Sequence, residues 1–187
     1  MKHAAYALAS VLCLTACNKG PEVNLKNASA NQVSEAVKQS GVMNGGQMVQ
    51  PGLWESRVTI QEMNIPGMPA QYADRMKQQM AAHQQQTSRH CITPEQAKKP
   101  KADFFAGNNS CKYDHFAMGG GKIDMQMVCK EEGSTQTMNA TGAYTPTTYS
   151  MDMSSSGSGG DSAEKMSMKM HVDSRRVGEC TGKDDEG

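Results

Sequence analysis

The residues of this chain best suited to chemistry are its thioethers and its thiols. Met occurs 16 times, and it recurs at every second position in Met125/Met127, Met151/Met153 and Met166/Met168/Met170. Thioethers are soft ligands, and clustered Met can hold Cu(I). A strand whose core-facing positions are Met shows the same alternation with no metal present. The intervening residues are Gln126, Asp152, Ser167 and Lys169, which is what period-two burial predicts. Core packing is therefore the first reading of these Met residues, and a Cu(I) site built from Met-x-Met pairs is the alternative.

Cys91, Cys111, Cys129 and Cys180 contain no C-x-x-C pair, and their spacings match no zinc pattern. Four such cysteines in an exported domain read as two disulfides, with three connectivities open. Cys91 with Cys111 and Cys129 with Cys180 is the expected pairing. It closes the shorter first loop and leaves the last cysteine to staple the chain's end to a strand, each bridge contributing about 3 kcal/mol. His90 beside Cys91, and Cys111 with His115, can be drawn as a Cys/His metal or nucleophile site, but that chemistry needs a free thiol. His83 and His171 read as polar-face residues. The MGGGK run at 118–122 lacks the strand-to-helix setting of a phosphate loop. No G-x-S-x-G elbow, H-E-x-x-H or paired-carboxylate signature occurs. The expectation is a protein that is not an enzyme and needs no cofactor.

Lys plus Arg and Asp plus Glu both total 19, so the chain lacks the basic excess that neutralises phosphates. Nucleic acid is not an expected partner. Nine aromatic residues in all, one Trp, five Tyr and three Phe, leave Met as the available core filler.

The elements that must position these side chains are mostly strands. Pro51-Gly52 marks the entry to a domain over 51–182. It is followed by LWESRVTI, where Trp54, Ser56, Val58 and Ile60 alternate with polar residues. Residues 70–86 form the one convincing helix, with Tyr72, Ala73, Met76 and Met80 on one face. Thr93-Pro94-Glu95 opens a second, short one. From Cys111 onward, strands alternate with Gly119-Gly120-Gly121 and Glu131-Glu132-Gly133 turns and with a low-complexity loop at 154–162. The predicted fold is mainly β (α+β): a curved antiparallel meander of about six to seven strands, with one amphipathic helix on its apolar face.

Ahead of the domain, Lys2 and the uncharged run Ala4 to Ala16 read as a signal peptide over 1–16. The run is shorter than the about 20 residues a spanning helix needs. It ends in Leu14-Thr15-Ala16-Cys17, which resembles the lipobox of bacterial lipoproteins. That resemblance implies acylation of Cys17 with the two or more chains that make an anchor durable. With Asn18 rather than Asp after the anchor, the same resemblance implies, by the sorting rule of enteric lipoproteins, the periplasmic face of the outer membrane. Residues 17–50 then read as the lipidated cysteine and a polar tether. It contains a short helix at Ala30 to Gln39, capped by Ser29 or Asn27, striped by Val33, Ala36 and Val37, and ended by Gly41. Residues 183–187 read as a disordered acidic tail.

The stretches Pro51-Gly52-Leu53-Trp54-Glu55, Met63-Asn64-Ile65-Pro66-Gly67-Met68-Pro69, Cys91-Ile92-Thr93-Pro94-Glu95, Cys111-Lys112-Tyr113, Gly120-Gly121-Lys122 and Arg175-Arg176-Val177-Gly178-Glu179-Cys180 together resemble domain-of-unknown-function family 3617 of Gram-negative envelope proteins. The resemblance implies export, frequent lipidation, paired cysteines and a mainly β domain, and it carries no catalytic residue. The expected function is that of a non-catalytic envelope lipoprotein that binds a partner or a small apolar ligand near the membrane. The alternative is periplasmic Cu(I) binding.

Overall fold

The computed structural model describes residues 20–43, 49–84, 87–98, 110–159 and 165–182. The stretch expected as a signal peptide, Cys17 and the stretch 183–187 expected as an acidic tail lie outside them. In chain order the elements are β1 (Glu22–Ser29), α1 (Ala30–Ser40), β2 (Gly52–Asn64), α2 (Ala70–Gln84), β3 (Ser88–Ile92), α3 (Pro94–Lys98), β4 (Cys111–Gly119), β5 (Lys122–Glu131), β6 (Ser134–Thr145), β7 (Thr148–Gly159) and β8 (Ser167–Gly178).

The meander forms where the turn chemistry asks for it. Gly119 pairs with Lys122 across a two-residue turn whose central Gly120 and Gly121 have φ of 56° and 74°. Only a primed hairpin uses two positive φ angles, and its twist matches that of the strands it joins. The next reversal pairs Glu131 with Ser134. The strands form one open antiparallel sheet in the order β1-β4-β5-β6-β7-β8-β2-β3.

Eight strands replace the six to seven expected, and the difference lies at both edges. Neither β1 nor β3 stands out as a strand in the sequence, while the last two stretches expected as strands merge into β8. The Gly/Ser run expected as a loop is ordered to Gly159 as the end of β7. There its backbone pairs with β6 and, as far as Ser156, with β8, so ladder hydrogen bonds outweigh weak strand propensity.

The tether is the second correction. From Glu22 onward it belongs to the domain, with β1 paired to β4 from Glu22↔Gly119 to Ser29↔Lys112. The short helix is present as α1. A capping box starts it, with Gln32 N donating to Ser29 Oγ at 3.3 Å and Ser29 N donating to Gln32 Oε1 at 2.8 Å. Gly41 at φ 70° closes it. Val33 and Val37, the stripe on this helix, are buried in the main core with Val23, Ala28, Tyr113, Phe116, Met118, Ile123, Met125, Ala140 and Met151. Burying each of the Val, Ile, Phe and Met side chains among them stabilises the fold by about 1.5–3 kcal/mol. The helix that covers the packed part of the apolar face is therefore α1, not the longer α2, which contacts β2 instead.

Two disulfides form, but not in the expected pairing: Cys91 is joined to Cys180 and Cys111 to Cys129. Cys111 and Cys129 face each other in the β4–β5 register, Cα atoms 3.9 Å apart. The expected Cys91–Cys111 bridge would have to cross from β3 to β4. Five strands lie between them, a span of about 25–30 Å at some 4.8 Å per strand, against a Cα limit of about 7 Å for a disulfide.

Candidate functional site

The apolar face of the sheet runs in three rows across the strands. The first joins Val23, Met118, Ile123, Gly142, Met151, Val172 and Val58. The second joins Leu25, Phe116, Met125, Ala140, Met153, Met170 and Ile60, and the third joins Ala28, Tyr113, Met127, Met138, Ser155, Met168 and Met63. Toward β1 the rows lie under α1 and are buried. Toward β2 they open: Val172, Met170, Met168, Ile60 and Met63 are half-buried, and Val58 is 42% exposed.

Two grooves sit where α2 meets this open half. One, of about 700 Å³, lies between the Ile65–Pro69 loop and α2, lined by Ile65, Pro66, Met68, Tyr72, Met76 and Met166, with Arg75 and Gln79 at its rim. Tyr72 is 54% exposed, so the helix face expected to pack on the sheet instead borders open space. The other, of about 680 Å³, is lined by Ile60, Met63, Met80 and Met168 among polar neighbours that include Glu62, Asn64, Ser154, Ser155, Ser156, Ser167 and Lys169. Both lie at the far end of β2 from Gly52, at the level of the Ser29 end of β1, whereas the row from Glu22 reaches β2 at Arg57.

The Met residues singled out in the sequence therefore divide. Met125 and Met151 are buried in the core, and Met127 and Met153 pack against it. Met166 lines the first groove and Met168 the second. Met170 lies between Met153 and Ile60 in its row. Sequence reasoning missed Met63 as a groove residue because a bulge between Ile60 and Glu62 reverses the alternation along β2. It placed Met80 on the right helix face but in the wrong surroundings.

A corner at the opposite end gathers three of the stretches that carry the family resemblance. Trp54 pairs with Arg176, Glu55 with Arg175 and Leu53 with both Cys91 and Gly178, and the Cys91–Cys180 bridge closes the corner. Trp54 is fully buried, stacks on Tyr149 at 5.8 Å between centroids and donates its Nε1 hydrogen to Gln50 O at 3.0 Å. Arg176 donates to Pro51 O at 2.6 Å and pairs with Glu179. Gly52 has φ 138°, and a Cβ there would lie 2.5 Å from Arg176 Nε and from Gly178 O, so close packing and backbone both require glycine at this position. The Arg175 and Arg89 guanidiniums beside Glu55 hold its carboxyl below the usual carboxylate range.

On the polar face, His171 is bracketed by carboxylates: Nδ1 to Asp152 Oδ1 at 2.7 Å and Nε2 to Asp173 Oδ2 at 3.1 Å, with Ser150 Oγ 3.3 Å from Nε2. Ser, His and Asp in this order have the outline of a nucleophile triad, but the electrostatics run the other way. The hydrogen bond to Asp152, opposed by partial burial and aided by Asp173, raises the imidazole above its ordinary value. The carboxylates favour the protonated ring, and in that form both nitrogens donate and no lone pair is left for the Ser150 proton.

The other histidine sites are closed for a different reason. Cys91 and Cys111 are both in disulfides, so neither His90 nor His115 has a thiol partner. Burial holds His90 below its usual value, and His115 Nε2 lies 3.0 Å from Asp124 Oδ1. The side chain of His83 lies outside the described residues. Among the described residues no group of three His, Cys, Asp or Glu could hold a metal ion, and no helix is long and apolar enough to cross a membrane.

A family described as "Protein of unknown function (DUF3617)" matches residues 49–180. That range runs from the approach to β2 through Cys180 and leaves β1 and α1 outside. No curated protein and no solved structure matches the chain.

Proposed function

We propose, for a chain that belongs to the DUF3617 family, the function of a non-catalytic envelope lipoprotein that holds a small apolar ligand in the groove between α2 and the Ile65–Pro69 loop. The observation that carries this reading is the groove itself. It has about 700 Å³ of space and walls of Ile65, Pro66, Met68, Tyr72, Met76 and Met166. Pockets of about 300–1,000 Å³ with apolar walls and few polar groups are the usual form of small-molecule sites. Flexible thioethers let such walls adapt to ligands of different shape.

The lipid anchor on Cys17 belongs to the same proposal, with the outer membrane's periplasmic face as its location. Because β1 starts at Glu22, the chain between anchor and sheet spans at most about 18 Å. This replaces the long tether. In this proposal the Glu22 end of β1 faces the bilayer and the grooves lie on the side of the sheet away from it.

The test is titration of the purified mature protein with a solvatochromic apolar dye, with native mass spectrometry of material prepared without detergent. Saturable dye binding is expected, weakened at least about tenfold, or 1.4 kcal/mol, by Met76→Glu at unchanged melting temperature. Absence of both saturable dye binding and any co-purifying ligand would sink the reading.

A further inference from the structure

We infer that the second groove is a soft-metal site that holds one Cu(I) through the thioether sulfurs of Met63, Met80 and Met168. Met63 and Met168 are directly opposed in the β2–β8 register. Opposed Cβ atoms on one face lie about 4.5–5.5 Å apart, and three flexible torsions per Met let both sulfurs reach one ion between them. Met80 enters the same cavity from α2, which supplies a third donor from a second element.

The bulge between Ile60 and Glu62 makes the pair possible. With strict alternation from Trp54, Met63 would fall on the polar face; the extra residue turns it inward, opposite Met168. Bulges that re-aim a side chain are a recurring device beside functional sites.

The remainder of the wall sets this cavity apart from the neighbouring groove. Ile60 is the one other aliphatic side chain lining it, and the rest is polar. Hydrocarbon gains less from such a wall than from that of the neighbouring groove, and its polar groups offset part of the hydration an ion loses on entry. Glu62 and Lys169, which also line the cavity, pair with each other at 2.9 Å, so this pair adds no net positive charge to repel a cation.

The donor set chooses the ion. The four described cysteines are bridged, and the described residues hold no group of three His, Cys, Asp or Glu that could bind a metal. Zn and Cu(II), which call for imidazole, carboxylate or thiolate, are poorly served, whereas thioethers select Cu(I). The buried Met125 and Met151 belong to the core, so this site is not one of the Met-x-Met pairs. It also stands independently of the apolar-ligand proposal, which concerns different side chains.

The experiment is anaerobic Cu(I) titration of the intact mature protein against a chromophoric Cu(I) chelator, with 13C-methyl methionine NMR using Ag(I) as the redox-inert probe. One equivalent is expected to bind with sub-micromolar affinity and to shift the methyls of Met63, Met80 and Met168. Leu is close in volume to Met, so the fold tolerates the exchange. Met63→Leu with Met168→Leu should weaken binding by at least about 100-fold, since even outer-shell partners of metal ligands are worth about 10–100-fold. Met170→Leu should leave it unchanged. No binding tighter than micromolar, undiminished binding by the double variant, or methyl shifts confined to Met125, Met127, Met151 and Met153 would each overturn the assignment.

Discussion

Glu55 and Arg175 lie directly opposite one another on β2 and β8, and Arg175 Nη2 donates to Glu55 Oε1 at 2.8 Å. From the other side, Arg89 on β3 donates to Glu55 Oε2 through Nη2 at 2.9 Å and Nε at 3.1 Å. One carboxylate, 13% exposed, thus ties the edge strand β3 and the inner strand β8 to β2. Charge-assisted, forked bonds of this kind outperform ordinary surface pairs because their geometry is fixed.

An acid-side loss of stability follows from the direction of the Glu55 shift. Its carboxyl is held below the ordinary value by the two arginines. The stabilisation is present above the unfolded-state value near 4.5 and is lost as pH falls through the lower folded-state value. Urea unfolding of wild type and Glu55→Gln should differ most at neutral pH and converge below the carboxylate range. A difference that does not change with pH would contradict this account.

His171 works in the opposite sense. Its imidazole is raised above 6.5 chiefly by the hydrogen bond to Asp152, so its contribution is complete below 6.5 and is lost as pH rises through the folded value. The groups facing it are Asp152 and Ser150 on β7, Asp173 on its own strand and Thr59 across on β2. In a 15N NMR titration the ring should titrate above 6.5, and Asp152→Asn should lower that midpoint more than Asp173→Asn. A larger effect from Asp173 would reverse the assigned roles.

The two disulfides should differ in worth. Cys91–Cys180 closes a separation of 89 residues and Cys111–Cys129 one of 18. The loop-entropy estimate is about 4.5 kcal/mol for the first and about 3 for the second. Paired Cys→Ala variants compared by chemical denaturation should follow that order. Equal losses would mean that the unfolded chain keeps the β3 corner structured.

Much of the meander is legible because its signals are local. Gly120-Gly121 demands a primed turn, and Ile123/Met125 and Met151/Met153 alternate with polar neighbours along β5 and β7. The errors arise where local rules lose to tertiary ones. In β4, Tyr113 and Phe116 are both buried although they are three apart. A bulge between Tyr113 and His115 supplies the missing residue, and no residue type announces it. The same device hides Met63 and with it the second groove. β1 contains the polar EVNLKNAS, whose inward Val23 and Ala28 matter only once β4 is beside them. The disulfide pairing depends on strand order, which loop length does not encode.

Methionine oxidation separates core from groove in one measurement. Met118, Met125 and Met151 are 1–6% exposed and packed in the core, where peroxide cannot reach the sulfur without local opening. Met63, Met76, Met80, Met166 and Met168 line the open grooves, so their thioethers meet solvent in the native state. Brief treatment with dilute peroxide followed by peptide mass mapping should give sulfoxide at the groove positions well before the core ones. Each sulfoxide replaces an apolar, soft donor with a polar, harder one. Partial oxidation should therefore abolish dye and Cu(I) binding while the melting temperature stays near that of the untreated protein. Uniform oxidation of all these Met residues, or loss of folding at the first modifications, would mean that the groove methionines are part of the packed core after all.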